Sequence, residues 1–237
     1  MSPDLTGDFF ERHLFLRRRE MKRRFSFLIS VYILLFFTYS DRLYSQRSDV
    51  ASWIYIEADM TGSHWQGVLS GEFRLKDNIG KVDLYSGGLF GYYLFSKAFK
   101  MGVGYEYFAN DLGSGKLESE HRAMIQSVLQ YPVANFKLAW RSSFMDTFYK
   151  LSDPNFGIRN RLKADYYLER IHLKPFVYTE IYHELESGIK HQKNRYATGI
   201  NYMIKNNQQF DLYYMMEDYH SRKFTRHVIG LGYCISI

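Results

Sequence analysis

The side chains of this chain that could do chemistry are charged groups at alternate positions within several segments. Arg159, Arg161, Lys163 and Asp165 follow one another at intervals of two residues. Because side chains two residues apart on a β-strand lie on the same face, these groups would share one face. The same alternation predicts a full set of inward-facing residues, which comprises Lys100, Glu106, Lys137, Arg141, Arg159, Arg161, Lys163, Asp165, Lys174, Tyr178, Glu180, Arg195, Asp211 and Glu217.

Two kinds of chemistry fit such a set of charges. Forked arginine groups bind carboxylate or phosphate, so the face could line a pore or a pocket for small anionic solutes. Alternatively, the charges pair with one another, with Arg122, Glu72 and Asp83 on the same face. Pairing is required in a narrow interior because an unpaired charge away from water is costly.

The elements that position these charges are separated by four short polar turns at nearly even intervals. The turns lie at 96–98, 132–135, 169–170 and 206–208. Each interval holds two alternating segments of about 10 residues and one longer loop, which is typical of a transmembrane β-barrel. The sequence therefore predicts an all-β fold, an antiparallel up-and-down barrel that crosses a membrane.

The number of strands is estimated from the alternating segments. Bacterial single-chain barrels have even numbers of strands, so we expect 12 strands, with 10 as the alternative, and place the miscount in the first two segments. Since such a barrel is only modestly wider than the filled kind of about 8 strands, the ion-pair network is favoured over an open pore. The segments are 51–59, 65–75, 81–95, 99–109, 119–130, 136–145, 157–169, 171–184, 194–204, 208–219 and 226–237.

The aromatic content is typical of a lipid-facing barrel. Aromatic residues make up 18% of the chain, with 21 Tyr and 19 Phe. Rings near strand ends form the interfacial girdles of such proteins, an interpretation that we favour over stacking on sugars. We expect outer-membrane lipid to contact the outer face. The short turns are expected on the periplasmic side, and the longer segments at the cell surface are 110–118, 146–156, 184–193 and 219–225.

The N-terminal part is predicted to be a targeting segment. Residues 21–46 begin with Lys and Arg, continue with an uncharged run over 25–39 and end in Ser45-Gln46, which is the order of a cleaved secretory signal peptide. Residues 1–20 are an unusual prefix and indicate a misplaced start or a disordered extension. The barrel then spans 47–237. Half of the formal net charge of +6 lies before residue 47, so the charge does not indicate nucleic-acid binding.

The last segment carries a separate signal. Tyr233, Ile235 and Ile237 alternate with smaller residues up to the end of the chain. This pattern resembles the terminal strand by which the barrel assembly machinery recognises outer-membrane proteins. The single cysteine, Cys234, lies in the same segment and excludes an internal disulfide.

Several segments resemble the DUF2490 family of outer-membrane barrels, which is common in Bacteroidetes and has no known function. The segments that carry the resemblance are 159–166, 175–180, 194–202, 210–215 and 227–233. The resemblance implies a barrel fold and a location in the bacterial outer membrane. It brings no catalytic residues, cofactor or metal ligands, and it leaves the oligomeric state open.

A lipid-modifying hydrolase is the second alternative function. Such enzymes place a Ser/His pair on a barrel wall, and His121 with Ser143 on the adjacent segment is the best candidate here. No motif for a nucleophile, a base and an orienting residue surrounds them, and the histidines lack the paired spacing of metal ligands. We therefore expect a non-enzymatic protein without metal or cofactor, and a structural or accessory barrel is the favoured function.

Overall fold

The computed structural model describes residues 47–111, 115–149, 154–185, 190–205, 207–220 and 223–237. One compact unit spans Arg47–Ile237, and a second unit is Met1–Gln46. The predicted prefix 1–20 and signal peptide 21–46 lie outside the described residues and stay predictions.

The described part of the chain contains eleven strands and a 3-10 turn at Glu169–Ile171. No helix in these ranges is long and apolar enough to cross a membrane. The strands are β1 (Arg47–Thr61), β2 (Trp65–Lys76), β3 (Lys81–Leu94), β4 (Phe99–Asp111), β5 (Leu117–Val133), β6 (Phe136–Tyr149), β7 (Asn155–Tyr166), β8 (Leu173–Glu184), β9 (Lys190–Lys205), β10 (Gln208–Tyr219) and β11 (Phe224–Ser236).

The strands form one closed up-and-down barrel. Each strand pairs antiparallel with the next, and β1 closes on β11 in parallel, from Arg47 opposite Phe224 to Asp59 opposite Ser236. Every strand therefore has two neighbours and no edge is free. This confirms the predicted all-β barrel. The described strands number eleven rather than 12, because the parity argument assumed antiparallel closure, and a parallel seam permits an odd number.

Successive connections alternate between the two ends of the barrel. The turn rim carries the connections β1–β2, β3–β4, β5–β6, β7–β8 and β9–β10, which include all four predicted turns. The loop rim carries the other five connections. There the strands extend into the predicted loops: β6 continues to Tyr149, and β9 already begins at Lys190.

Side chains alternate between the two faces of the wall, apart from three register shifts in the strand pairs β2–β3, β8–β9 and β9–β10. On β5, Met124 and Gln126 face inward and are 3% and 2% exposed, whereas Ile125 between them is 54% exposed. Val103 and Leu89 on neighbouring strands are also exposed on the outside. The outer face is thus apolar and the inner face mixed, which is the inverse of a water-soluble protein.

Glycines leave room for inward aromatic rings in the wall formed by β9–β11 and β1. A Cβ atom at Gly230 would overlap the ring of Tyr213, and one at Gly232 would overlap the ring of Tyr55. On the outer face of β3, by contrast, no atom lies within 4 Å of the place where a Cβ of Gly91 would be. The inner glycines are therefore required for packing, and the outer one is not.

Candidate functional site in the barrel lumen

The barrel encloses a cavity of about 890 Å³. Its lining contains eleven Lys or Arg side chains and eight Asp or Glu side chains. Cations are therefore in excess on the surface that a solute would meet.

The cavity lining includes nine of the fourteen residues predicted to face inward. Glu180 and Glu217 lie in the wall behind the lining, with no exposed surface. Lys137, Asp165 and Lys174 stand within two residues of strand ends at the turn rim, beyond the lined region. The nine lining residues are Lys100, Glu106, Arg141, Arg159, Arg161, Lys163, Tyr178, Arg195 and Asp211.

Strand register aligns charged residues into one row across seven of the eleven described strands. We call this the charge row, and each member lies directly opposite the next on the adjacent strand. The sign alternates from β7 onwards, which is the favourable arrangement for cross-strand pairs. The members, in order from β6 through β11 to β1, are Arg141, Arg161, Glu180, Arg195, Glu217, Arg226 and Asp49.

The part of the charge row on β8–β11 and β1 is fully paired. Arg195 binds Glu180 at 3.0 Å and Glu217 at 2.7 Å. Arg226 binds Asp49 at 3.2 Å and Asp83 at 3.1 Å. Since each acid in this part has a basic partner, its charges offset one another and contribute little net field to the lumen.

Aromatic rings and hydroxyls hold Arg195 in place. Its guanidinium carbon lies 5.0 Å from the centroid of the Trp53 ring and 4.8 Å from that of Tyr182. It donates a hydrogen bond to the Tyr182 hydroxyl, which in turn donates to Glu180 at 2.7 Å. Satisfied on all sides, Arg195 serves as a structural link between three strands and is not free to bind a solute.

The β6–β7 end of the charge row is different. Arg141 lies opposite Arg161, and Arg159 stands two residues further along β7. Among the described residues, the acid that pairs with these arginines within 4 Å is Glu180, which lies 2.5 Å from Arg161 and 3.6 Å from Arg141. We call Arg141, Arg159, Arg161 and Lys163 the cationic wall.

Two members of the cationic wall make no ion pair within 4 Å in the described part of the chain. Arg159 makes a long 3.5 Å hydrogen bond to the Tyr182 hydroxyl, and Lys163 stacks 4.3 Å above the ring of Phe176. No carboxylate of the described residues lies within 4 Å of either cation. The buried Nε atoms of Arg141 and Arg159 also lack a hydrogen-bond acceptor there. The cationic wall can therefore accept an anion.

An inward carboxylate on β1 faces the cationic side. Glu57 lines the cavity and interacts electrostatically with Arg141 and Lys100. It makes no ion pair within 4 Å among the described residues. Lys100 donates to the Gln66 side chain at 2.5 Å. Glu57 is thus an acid of the cavity lining that faces the cationic wall without an ion pair of its own among the described residues.

Sequence reasoning missed several residues of this site. Arg74 alternates with Glu72 on β2, a signal that the same period-two rule would have found, and Trp53 lies under it at 3.8 Å from the guanidinium carbon. Tyr182 and Arg226 also follow the alternation. Asp49 precedes the predicted first segment, because β1 begins earlier than the hydrophobic pattern does.

The Ser/His pair considered for hydrolysis does not come together. Ser143 points inward and is fully buried, opposite Gln126 on β5. His121 lies on the outer face, where it hydrogen-bonds the Tyr105 hydroxyl at 2.5 Å. The sheet separates the two side chains, so they cannot act as nucleophile and base. In the part of the chain that the structure describes, no group of three His, Cys, Asp or Glu residues could hold a metal ion.

Comparison with known proteins identifies one family. The family model DUF2490, described as a protein of unknown function, matches residues 52–227. No protein with a curated description matches the sequence.

Among solved structures, the fold resembles outer-membrane β-barrels. One is the NanC porin, at 12% identity and a TM-score of 0.47 over 75% of this chain and 93% of that one. Another is the KdgM porin, at 12% identity and a TM-score of 0.41 over 70% and 91%. A third is the β domain of the Bordetella autotransporter Brka, at 11% identity and a TM-score of 0.39 over 67% and 79%.

Proposed function

The chain belongs to the DUF2490 family of proteins of unknown function, and we propose that it is a non-enzymatic outer-membrane β-barrel with a narrow, anion-preferring lumen for small solutes. The single observation that carries this proposal is the cationic wall. Its four cations border a cavity of about 890 Å³, and among the described residues one carboxylate, that of Glu180, lies within 4 Å of any of them.

The membrane location is supported by the outer surface. Ile56, Leu69 and Val103 are each more than 60% exposed on the outside of the wall. Closure pairs the backbone groups of every strand, which a spanning segment requires because lipid offers no hydrogen bonds. The predicted signal peptide supports export, and an apolar belt of this kind is stable in contact with lipid.

Anion preference is supported by the distribution of charge in the lumen. The paired part of the charge row on β8–β11 narrows the interior and is electrically balanced. Beside it, on β6 and β7, the guanidinium groups of Arg141 and Arg159 retain unused donors. A ring of Lys and Arg side chains is the arrangement that favours anions in pores.

A closed structural barrel is the second candidate, and a specific observation favours it. The charge row and the buried cluster of Ala51, Trp53, Ala197, Met215 and Val228 fill much of the wall side formed by β1 and β9–β11. Conductance separates the two functions. We expect purified protein in a planar bilayer to give discrete current steps in KCl, whereas a closed barrel gives none at any salt concentration.

Folding into a barrel can be checked by gel mobility. We expect unheated protein in mild SDS to migrate differently from the boiled sample, because a closed antiparallel barrel resists the detergent until heated. The same protein should remain in the membrane fraction. Identical mobility together with a soluble fraction would contradict the membrane assignment.

Removing one cation should weaken anion selectivity. We expect Arg159→Gln to lower the anion-to-cation permeability ratio about fivefold, taking about 1 kcal/mol for a unit charge at about 4 Å in a water-filled site. Arg170→Gln is the matched control, since Arg170 lies exposed in the 3-10 turn. An equal ratio in wild type and Arg159→Gln would show that the cationic wall does not set selectivity.

A further inference from the structure

We propose that Arg141, Arg159 and Arg161 form a binding subsite for a doubly charged oxyanion, sulfate or phosphate, either free or as an ester on a small solute. This inference deepens the proposed function, and it rests on the same anion-preferring lumen. Nothing in the charge row beyond β7 takes part in it.

The three arginines are grouped by strand register. Arg141 on β6 lies directly opposite Arg161 on β7, and Arg159 is on the same face two residues away. Ser143 lies opposite Arg159 and is fully buried beside it. All three guanidinium groups line the cavity, so a solute in the cavity can reach them together.

Several hydrogen-bond donors in this group have no acceptor among the described residues. Glu180 accepts hydrogen bonds from Arg161, Arg195 and Tyr182, so little of its capacity is left for Arg141, whose nearest approach is 3.6 Å. The Nε atoms of Arg141 and Arg159 and the hydroxyl of Ser143 lack partners among the described residues. Buried donors without an acceptor are costly, and a bound oxyanion would supply several acceptors at once.

The local charge favours a dianion. Among the described residues, the carboxylate within 4 Å of this group is that of Glu180, which pairs with Arg141 and Arg161. Three guanidinium groups and this one acid sum to a formal local charge of about +2. Chloride or a single carboxylate would neutralise only half of this excess. Sulfate or a phosphate monoester at neutral pH, with a charge near −2, would neutralise all of it. The forked geometry of arginine also matches two oxygens of such an anion better than a spherical ion.

Cavity size permits either a free anion or an ester. A volume of about 890 Å³ lies within the range of about 300–1,000 Å³ found for ligand pockets. Tyr178, Phe176 and Tyr182 line the space beside the arginines. Cationic side chains lie over these three rings, so the body of an esterified solute would extend into the open cavity beside them.

The test is equilibrium binding by titration calorimetry on folded full-length protein in detergent. We expect inorganic sulfate to bind saturably, at least about tenfold more tightly than acetate at equal ionic strength. Arg159→Gln should weaken sulfate binding about tenfold, while Arg170→Gln should not. Arg159→Gln is suited to this test because Arg159 makes no ion pair with Glu180 within 4 Å, so the charge row stays intact.

A second arm distinguishes the two sources of the anion. Tighter binding of glycerol phosphate than of inorganic phosphate indicates an esterified solute, and the reverse indicates the free anion. Binding of acetate as tight as that of sulfate, or sulfate binding unchanged by Arg159→Gln, would overturn the subsite. If the barrel conducts with anion preference but binds no sulfate, only the proposed subsite is contradicted. If it binds sulfate at Arg159 but passes no current, only the proposed pore is contradicted.

Discussion

Replacing Glu180 by glutamine is expected to lower the free energy of unfolding of the barrel by about 3–5 kcal/mol. Glu180 has no exposed surface and offsets the charges of Arg141, Arg161 and Arg195. Without its carboxylate, Arg141 and Arg161 would have no acid within 4 Å among the described residues, and Arg195 would keep Glu217 alone. A buried charge that loses its partner is far more costly than an exposed one.

The measurement is urea unfolding of the folded protein in detergent, followed by tryptophan fluorescence, since Trp53 contacts the Arg195 guanidinium. The control is Glu169→Gln, which removes the same charge from the exposed turn and should change stability by less than about 0.5 kcal/mol. A loss below about 1 kcal/mol in Glu180→Gln would mean that the charge row contributes little to stability.

Glycine packing between β10 and β11 should be equally sensitive. We expect Gly230→Val to cost about 3 kcal/mol or more, because even a Cβ at this position would overlap the ring of Tyr213 on the adjacent strand. The Tyr213 ring also packs against the ring of Tyr55, with 6.3 Å between the ring centroids, which limits how far it can move. The folded fraction, read from heat-modifiable gel mobility, is expected to fall strongly.

Two further variants make this prediction specific. Gly91→Val adds the same atoms on the outer face, where nothing lies within 4 Å, and should fold as well as wild type. Combining Gly230→Val with Tyr213→Ala should recover part of the loss, because the clash partner is then gone. An equal folded fraction of Gly230→Val and Gly91→Val would contradict the packing inferred between β10 and β11.

Most of the fold could be predicted from local sequence patterns, because a strand with one face against lipid alternates apolar and polar residues with a period of two. The alternation over 159–165 correctly placed Arg159 and Arg161 on one face, and the four turns fell at one rim. The number of strands could not be predicted in this way. An even number follows only when the first and last strands are antiparallel, and no local feature of β1 or β11 reports how they meet.

The site depends on register, which a single sequence does not specify. Glu180 neutralises Arg195 because the β8–β9 pairing places them directly opposite each other. A shift of one residue would turn one of them to the outer face. The pairings of β7 with β6 and with β8 place Arg159 opposite Ser143 and Tyr182 rather than opposite an acid. Sequence analysis favoured a fully paired interior, and it had no means of showing that one side of the lumen would keep unpaired cations.

The ion selectivity of the open barrel tests the central claim most directly. The measurement is the reversal potential of wild-type protein in a planar bilayer that separates two KCl concentrations. A cationic wall next to an open cavity predicts a reversal potential that is shifted from zero towards the chloride equilibrium potential. This shift should be smaller in Arg159→Gln and unchanged in Arg170→Gln. A shift towards the potassium equilibrium potential, or a shift that stays the same in Arg159→Gln, would contradict an anion-preferring lumen.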